Sequence, residues 1–257
     1  MSIVGYILIL LMGLTLGLMG AGGSILTIPI LVYIFKIPIS ISTKYSLIIV
    51  GSTAIVGILR DRKLIFLKKS ILFCIPSLLG IILTRYYLLP HLPAILWGVY
   101  VDDILTTLLI LVMTGAAYFL LKKNDMVYSS NEKNKRIKNF NILLTGLIVG
   151  LMMGLLGVGG GFLIVPALIS LGIPIKNAVP TSLFIIAMNA TVGSLVDQRE
   201  TSLNEYKILV SLILVAWIGM YFGTLINKKI PAHHLKKAFG ILLLIVSATM
   251  AVFECYF

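Results

Sequence analysis

The sequence predicts an all-α polytopic membrane protein made of two inverted repeats of about five membrane segments each, with Gly-rich broken or re-entrant helices. Three observations predict it. First, 59% of the 257 residues are hydrophobic and only 12% are charged, whereas a soluble domain is about half apolar and about a quarter charged. Second, apolar runs of roughly 15–20 residues recur along the chain, enough to cross a hydrocarbon core about 30 Å thick. The alternating segments of about ten residues that a transmembrane barrel needs do not occur. Third, the chain repeats itself. Gly13 to Leu31 (GLTLGLMGAGGSILTIPIL) and Gly150 to Leu168 (GLMMGLLGVGGGFLIVPAL) are identical at ten of 19 positions. After a one-residue slip, Ile37 to Gly57 matches Ile173 to Gly193 at nine of 21.

The repeat divides the chain into a first half, 1–121, a polar linker, 122–140, and a second half, 141–257. At ~20–25 residues per span there is room for at most about ten spans and for no separate soluble domain. The first segment, 3–20, cannot run on straight to Phe35, because Ile3 to Phe35 as one helix would be about 50 Å long. A break at Gly20-Ala21-Gly22-Gly23 resolves this, since glycine reaches the positive φ that a tight turn needs. The chain then returns as a short second segment, 24–35, followed by spans near 45–59, 70–88 and 103–121. The second half runs in the same order: 141–157, a break at Gly157-Val158-Gly159-Gly160-Gly161, then 161–172, 181–196, 207–226 and 237–253. The first Lys or Arg is Lys36, so the N-terminus lacks the basic region of a secretory signal and the first helix is expected to be retained.

Whether the halves are inverted depends on these breaks. As turns they give five segments per half and inverted halves; as kinks they give four and parallel halves. Five per half divides the Lys and Arg residues 16 to 5 between the two sides, and four per half divides them 13 to 8. The stronger asymmetry favours inversion, with both termini outside and the linker inside.

Irregular backbone at membrane depth must be buried in protein or line a cavity. The turns built from Gly20, Gly22, Gly23 and from Gly157, Gly159, Gly160, Gly161 are therefore expected to face a central site. A helix begins after each turn, near Ser24 and near Gly161, and a helix N-terminus suits an anion. Two such ends would form a pseudo-symmetric anion cradle. The competing reading is that the glycines only permit close helix crossing, as Gly13-x-x-x-Gly17, Gly150-x-x-x-Gly154 and Gly219-x-x-x-Gly223 do. Ser46, Thr181 and Ser182, at the starts of matching spans, offer hydroxyl donors to an oxyanion or else cap backbone. Lys44 stands where the other repeat has Pro180; it pairs with substrate or snorkels to the interface. Asn189, at mid-span, touches ligand or bonds a neighbouring helix.

Other polar groups read as structural. Arg85, beside Tyr86 and Tyr87, is expected at the interface. Asp61 and Asp197 occupy matching span ends near arginines, where local ion pairing is the plain reading and proton coupling the alternative. Asp102-Asp103 and His233-His234 read as solvated pairs. The net charge of +12 is an orientation signal and not nucleic-acid affinity, although it favours anions near the surface. Two cysteines do not make a disulfide framework. No nucleotide-binding, metalloprotease or hydrolase motif is present. No catalytic residue, cofactor or metal is expected; the partners are a small anionic substrate and the lipid bilayer, and a homo-oligomer is left open.

The paired motifs GLMGAGGSILTIPIL and GLLGVGGGFLIVPAL, with PTSL after the second, resemble the TauE/SafE family of sulfite exporters, also called toluene-sulfonate uptake permeases. The resemblance spans nearly the whole chain. It implies a multi-pass carrier of the bacterial inner, cytoplasmic membrane for sulfur-containing anions such as sulfite, sulfoacetate or other sulfonates. The family's motif glycines match Gly20, Gly22, Gly23, Gly157, Gly159, Gly160 and Gly161, and its Thr-Ser-Leu element matches Thr181, Ser182 and Leu183. In the first half that element reads Tyr45-Ser46-Leu47 after Lys44, a departure that bears on substrate identity. A non-transporting membrane scaffold and a passive anion channel are the competing functions.

Overall fold

The computed structural model describes residues 3–20, 23–61, 64–93, 95–96, 99–121, 139–157, 161–197, 203–227 and 232–256. Gly22, Gly159, Gly160, Arg199 and most of the linker lie outside them. Helix α1 (Ile3–Met19) stops where Gly20 takes φ +67 and its N–H closes on Leu16 O at 2.7 Å. The chain resumes as α2 (Gly23–Pro29), whose last turns widen into a π-helical stretch, Ile30–Ile34. Pro29 lies at that change, and a proline inside a helix cannot continue the hydrogen-bond ladder. The twelve residues from Gly23 to Ile34 rise about 18 Å, too little to cross the core alone.

Three longer elements follow: α3 (Ile39–Asp61), α4 (Leu67–Ile82) and α6 (Val101–Leu121). The fourth segment extends past α4 through the π-helical Leu83–Leu88 into α5 (Leu89–His91). Two-residue strands β1 (Ile95–Leu96) and β2 (Val99–Tyr100) pair antiparallel before α6. The second half is α7 (Asn139–Leu156), α8 (Gly161–Ser170), α9 (Ile175–Val196), α10 (Leu203–Asn227) and α11 (Ala232–Tyr256). Gly157, with φ +64, makes the break before α8. Both glycine breaks, and the short segment after each, therefore stand as the sequence predicts.

Two starts differ most from expectation. Helices α3 and α9 begin six residues earlier than the sequence suggests, just after Pro38 and Pro174. The polar residues that read as a loop are instead helical and bonded inward: Ser42 Oγ donates to Ile37 O at 3.0 Å and Thr43 Oγ1 to Ser40 O at 2.8 Å.

The halves interlock. Helix α1 packs on α10, and its repeat equivalent α7 packs on α4; α3 packs on α9, and α6 on α11. Glycines make the first two pairings close. A Cβ at Gly17 would lie 2.6 Å from Met220 O, one at Gly80 would lie 2.7 Å from Leu151 N, and one at Gly150 would overlap Ser77. Such backbone approach is how apolar helices associate where no water drives them together. The Gly13/Gly17, Gly150/Gly154 and Gly219/Gly223 pairs all lie on these seams.

Direction follows from register. Gly146 faces Phe73 and Gly150 faces Ser77, so α7 and α4 run parallel. Gly13 faces Ala216 and Gly17 faces Met220, so α1 and α10 run parallel as well. Gly51 faces Ala190 while Gly57 faces Leu183, so α3 and α9 run antiparallel. Helices α3 and α9 form the centre: 61% and 56% of their spanning windows are buried, against 33% for α6. Among the described residues, five helices are long and apolar enough to cross a membrane. Their outward faces carry large apolar groups such as Ile75, Leu79, Leu111, Leu195, Ile218 and Phe222.

Candidate functional site

Polar side chains inside the bundle concentrate around the α3·α9 centre. Ser24, Thr27, Ser42, Ser46, Thr53, Ser70, Ser77, Thr181, Ser182 and Asn189 are all fully buried. Most are tied to backbone. Ser182 Oγ donates toward Gly20 O and Val179 O, both at 2.7 Å. Thr181 Oγ1 accepts from the N–H of Phe66 at 3.2 Å. The Asn189 amide brackets Ser77 Oγ at 2.9 and 3.0 Å and reaches Met153 Sδ at 3.4 Å, so it joins α9 to α4 and α7. Ser46 Oγ and Thr27 Oγ1 are buried and have no hydrogen-bond partner among the described residues.

Each glycine turn docks on the other half. Gly20 meets α9, where a Cβ would lie 2.6 Å from Val179 O and 2.9 Å from Ser182 Oγ. Gly157 meets α3, where a Cβ would overlap Thr43 and lie 2.6 Å from Arg85 Nη2. Val179 and Thr43 are themselves repeat equivalents, each near the start of its helix. Because α3 and α9 are antiparallel, the two turns lie at opposite ends of the pair, about 20 Å apart along α3 from Thr43 to Gly57. They do not converge on one cradle.

Of the residues singled out from the sequence, Ser182 and Thr181 meet at the Gly20 end. Gly23 is packed so tightly that a Cβ would lie 2.7 Å from Leu16 Cβ. Ser24 is buried at the start of α2 and Gly161 at the start of α8. Gly157 lies at the other end, on the face of α3 that carries Thr43. Lys44 is half-buried on the next position of that helix, and Ser46 is three residues beyond Thr43.

The group the sequence misplaces is Arg85. It does not sit at an interface: it is 2% exposed, the largest fully buried side chain among the described residues. Its Nη1 is ion-paired with Asp197, and its Nε donates to Gly154 O at 3.0 Å. Asp197, one residue past α9, is 6% exposed and thus pairs across the halves. The π-helical stretch explains the inversion of expectation. Tyr86 and Tyr87 face outward at 45% and 59% exposure, while Arg85 turns in. Arg85 and Asp197 line a cavity of about 440 Å³ with Ser40, Tyr100, Asp102 and Leu105. A guanidinium with fixed N–H directions recognises carboxylates and other oxyanions bidentately. Among the described residues no group of three or more His, Cys, Asp or Glu could hold a metal.

The second repeat answers this arrangement with a neutral one. Gly17, the equivalent of Gly154, accepts from Asn227 Nδ2 at 3.4 Å, and the same nitrogen also bonds Leu18 O. A similar exchange occurs elsewhere: Lys36 has φ 57 where the second half places Gly172 at φ 76.

Comparison with known proteins agrees with the architecture. The family model described as sulfite exporter TauE/SafE matches residues 6–250. A probable membrane transporter protein of Methanocaldococcus jannaschii is 27% identical over 248 residues, covering 91% of this chain and 88% of its own. One from Xylella fastidiosa (strain Temecula1) is 26% identical over 245 residues, covering 92% and 90%. The probable membrane transporter protein YdhB of Bacillus subtilis is 26% identical over 235 residues, covering 89% and 91%. No solved structure matches the chain.

Proposed function

The chain belongs to the sulfite exporter TauE/SafE family, and from that premise we propose that this multi-pass membrane transporter is a secondary carrier of sulfur-containing anions such as sulfite, sulfoacetate or other sulfonates, acting in the cytoplasmic membrane. The observation that carries the reading is the buried Arg85 beside the Gly157 turn and an adjoining cavity. Ionisable groups within spans are costly and mark substrate or ion paths.

The anion path runs along α3 and α9, between the two glycine turns, with a turn at each end. The motif glycines keep backbone close at those ends, and Ser46, Thr181, Ser182 and Lys44 lie along the same two helices. Halves 1–121 and 141–257 rock about this path, exposing one end at a time. Their inversion is supported by the antiparallel α3·α9 pair and by parallel α1·α10 and α4·α7. Five segments per half produce all three directions, whereas four per half would make α3 and α9 parallel. With the linker inside, cysteines introduced into 122–140 should resist membrane-impermeant reagents in intact cells; ready labelling from outside would refute the orientation.

The function is tested by reconstituting the purified chain in liposomes loaded with sulfite. The expected result is saturable uptake of labelled sulfite that is accelerated by sulfite on the opposite side. Flux that does not saturate and shows no such acceleration would make the protein a channel. No flux with any sulfur oxyanion would leave a scaffold.

A further inference from the structure

Building on the carrier reading above, we propose that Arg85 is the anion-recognising residue of the transporter and that Asp197 is an internal stand-in whose place a bound oxyanion takes. The geometry points this way in four respects. The Arg85 guanidinium is anchored to the protein backbone through Nε to Gly154 O at 3.0 Å, while its Nη1 holds a carboxylate. A sulfite or sulfonate group offers the same pair of acceptor oxygens as that carboxylate, so it can occupy the same N–H directions. Both partners line an adjoining cavity of about 440 Å³, more than tenfold the ~30 Å³ share of a single water, so an anion has space beside the pair it must enter.

The other two respects concern position. Arg85 comes from the π-helical stretch that follows α4 in the first half and Asp197 from just past the end of α9 in the second, so exchanging the carboxylate for substrate loosens a tie between the halves. A buried ion pair contributes little net stability relative to apolar packing; here it spans the two bodies that alternating access must move. Finally, Arg85 sits in a π-helical stretch, Leu83–Leu88, a rare form that is frequent at functional sites. Asp102, on the first turn of α6, lines the same cavity. Its carboxylate opposes any entering anion without touching the proposed exchange.

Three variants of the full chain in detergent separate this role from a purely structural pair: Asp197→Asn, Arg85→Gln/Asp197→Asn and Asp102→Asn. Sulfite is the probe, and the readouts are thermal stability and binding by calorimetry. Removing only the stand-in takes away the carboxylate that competes with sulfite for the guanidinium. Asp197→Asn is therefore expected to melt below the unaltered protein without anion, to recover with sulfite, and to bind it at least tenfold more tightly. The double variant, in which no charge is left unpaired, is expected to fold but to gain no stability from sulfite. Asp102→Asn is expected to tighten binding only a few-fold, as a general field effect. Sulfite binding by the double variant at unaltered affinity, or no gain in Asp197→Asn, overturns the assignment. If the unaltered protein meanwhile shows sulfite counterflow, the carrier function stands and only the role of the pair falls. If the unaltered protein neither binds nor moves any sulfur oxyanion, both fall together.

Discussion

The two glycine turns share backbone geometry but differ in chemistry. Gly20 and Gly157 take nearly the same φ, +67 and +64, and each abuts the start of a central helix from the other half. At the Gly20 end the contacts among described residues are neutral: the Ser182 hydroxyl and, one turn back, the Asn227 amide on Gly17 O. At the Gly157 end the corresponding carbonyl, Gly154 O, is held by Arg85, which also carries Asp197. Both ends keep what the backbone requires, whereas among the described residues the buried ion pair lies at the Gly157 end. A carrier with chemically unequal ends can select its ligand at one and release it at the other.

The most severe test removes the shared geometry. Gly157→Val would force a β-branched residue into positive φ and into Thr43 and Arg85, a cost above about 3 kcal/mol when αL strain and overpacking combine. No monodisperse protein is expected on size-exclusion chromatography, and normal yield would show that the turn tolerates a side chain. The next test probes the asymmetry. Arg85→Leu takes from the buried Asp197 its guanidinium counter-charge and should cost about 3–5 kcal/mol, while Asn227→Leu removes only a neutral donor from the carbonyls of Gly17 and Leu18 and should cost about 1–3 kcal/mol. Equal losses of Tm in the two variants would erase the distinction between the ends.

A subtler contrast lies in the paired serines. Ser182→Ala should destabilise by about 1 kcal/mol, because Gly20 O loses its donor. Ser46→Ala should be neutral or slightly stabilising, since its buried hydroxyl has no partner among the described residues and its removal relieves a desolvated polar group. Guanidinium- or heat-induced unfolding in one detergent compares them directly. A gain rather than a loss is expected at Lys36→Gly. Restoring the residue type of Gly172 at φ 57 should raise stability by about 1 kcal/mol, seen as a modest rise in Tm.

Much of the architecture is legible in the chain because glycine and proline act locally. The breaks at Gly20 and Gly157, the short segments after them and the close-packing Gly-x-x-x-Gly pairs are each written within a few neighbouring residues. Contacts that span the halves are not. Arg85 and Asp197 are 112 residues apart, as are Ser77 and Asn189. Nothing in either stretch announces how α4 is registered against α9. Tyr86 and Tyr87 give Arg85 the look of an interfacial residue, and the π-helical winding that turns it inward has no plain sequence signal. The expectation of a single cradle fails to foresee the separation of the turns for the same reason. Each motif marks a turn, but only the antiparallel meeting of α3 and α9 sets them at opposite ends.

The parallel glycine seams also bear on how the protein is made. Gly13 of α1 closes on Ala216 of α10, a partner that the ribosome delivers about two hundred residues later, on the order of ten to forty seconds at typical rates of synthesis. Throughout that interval the small-residue face of α1 is open to lipid or to a chaperone. Neither half can reach its final packing before the other has been inserted. Separately translated halves should accumulate only when they are produced together, and the nascent chain is most vulnerable to membrane proteases before α10 arrives.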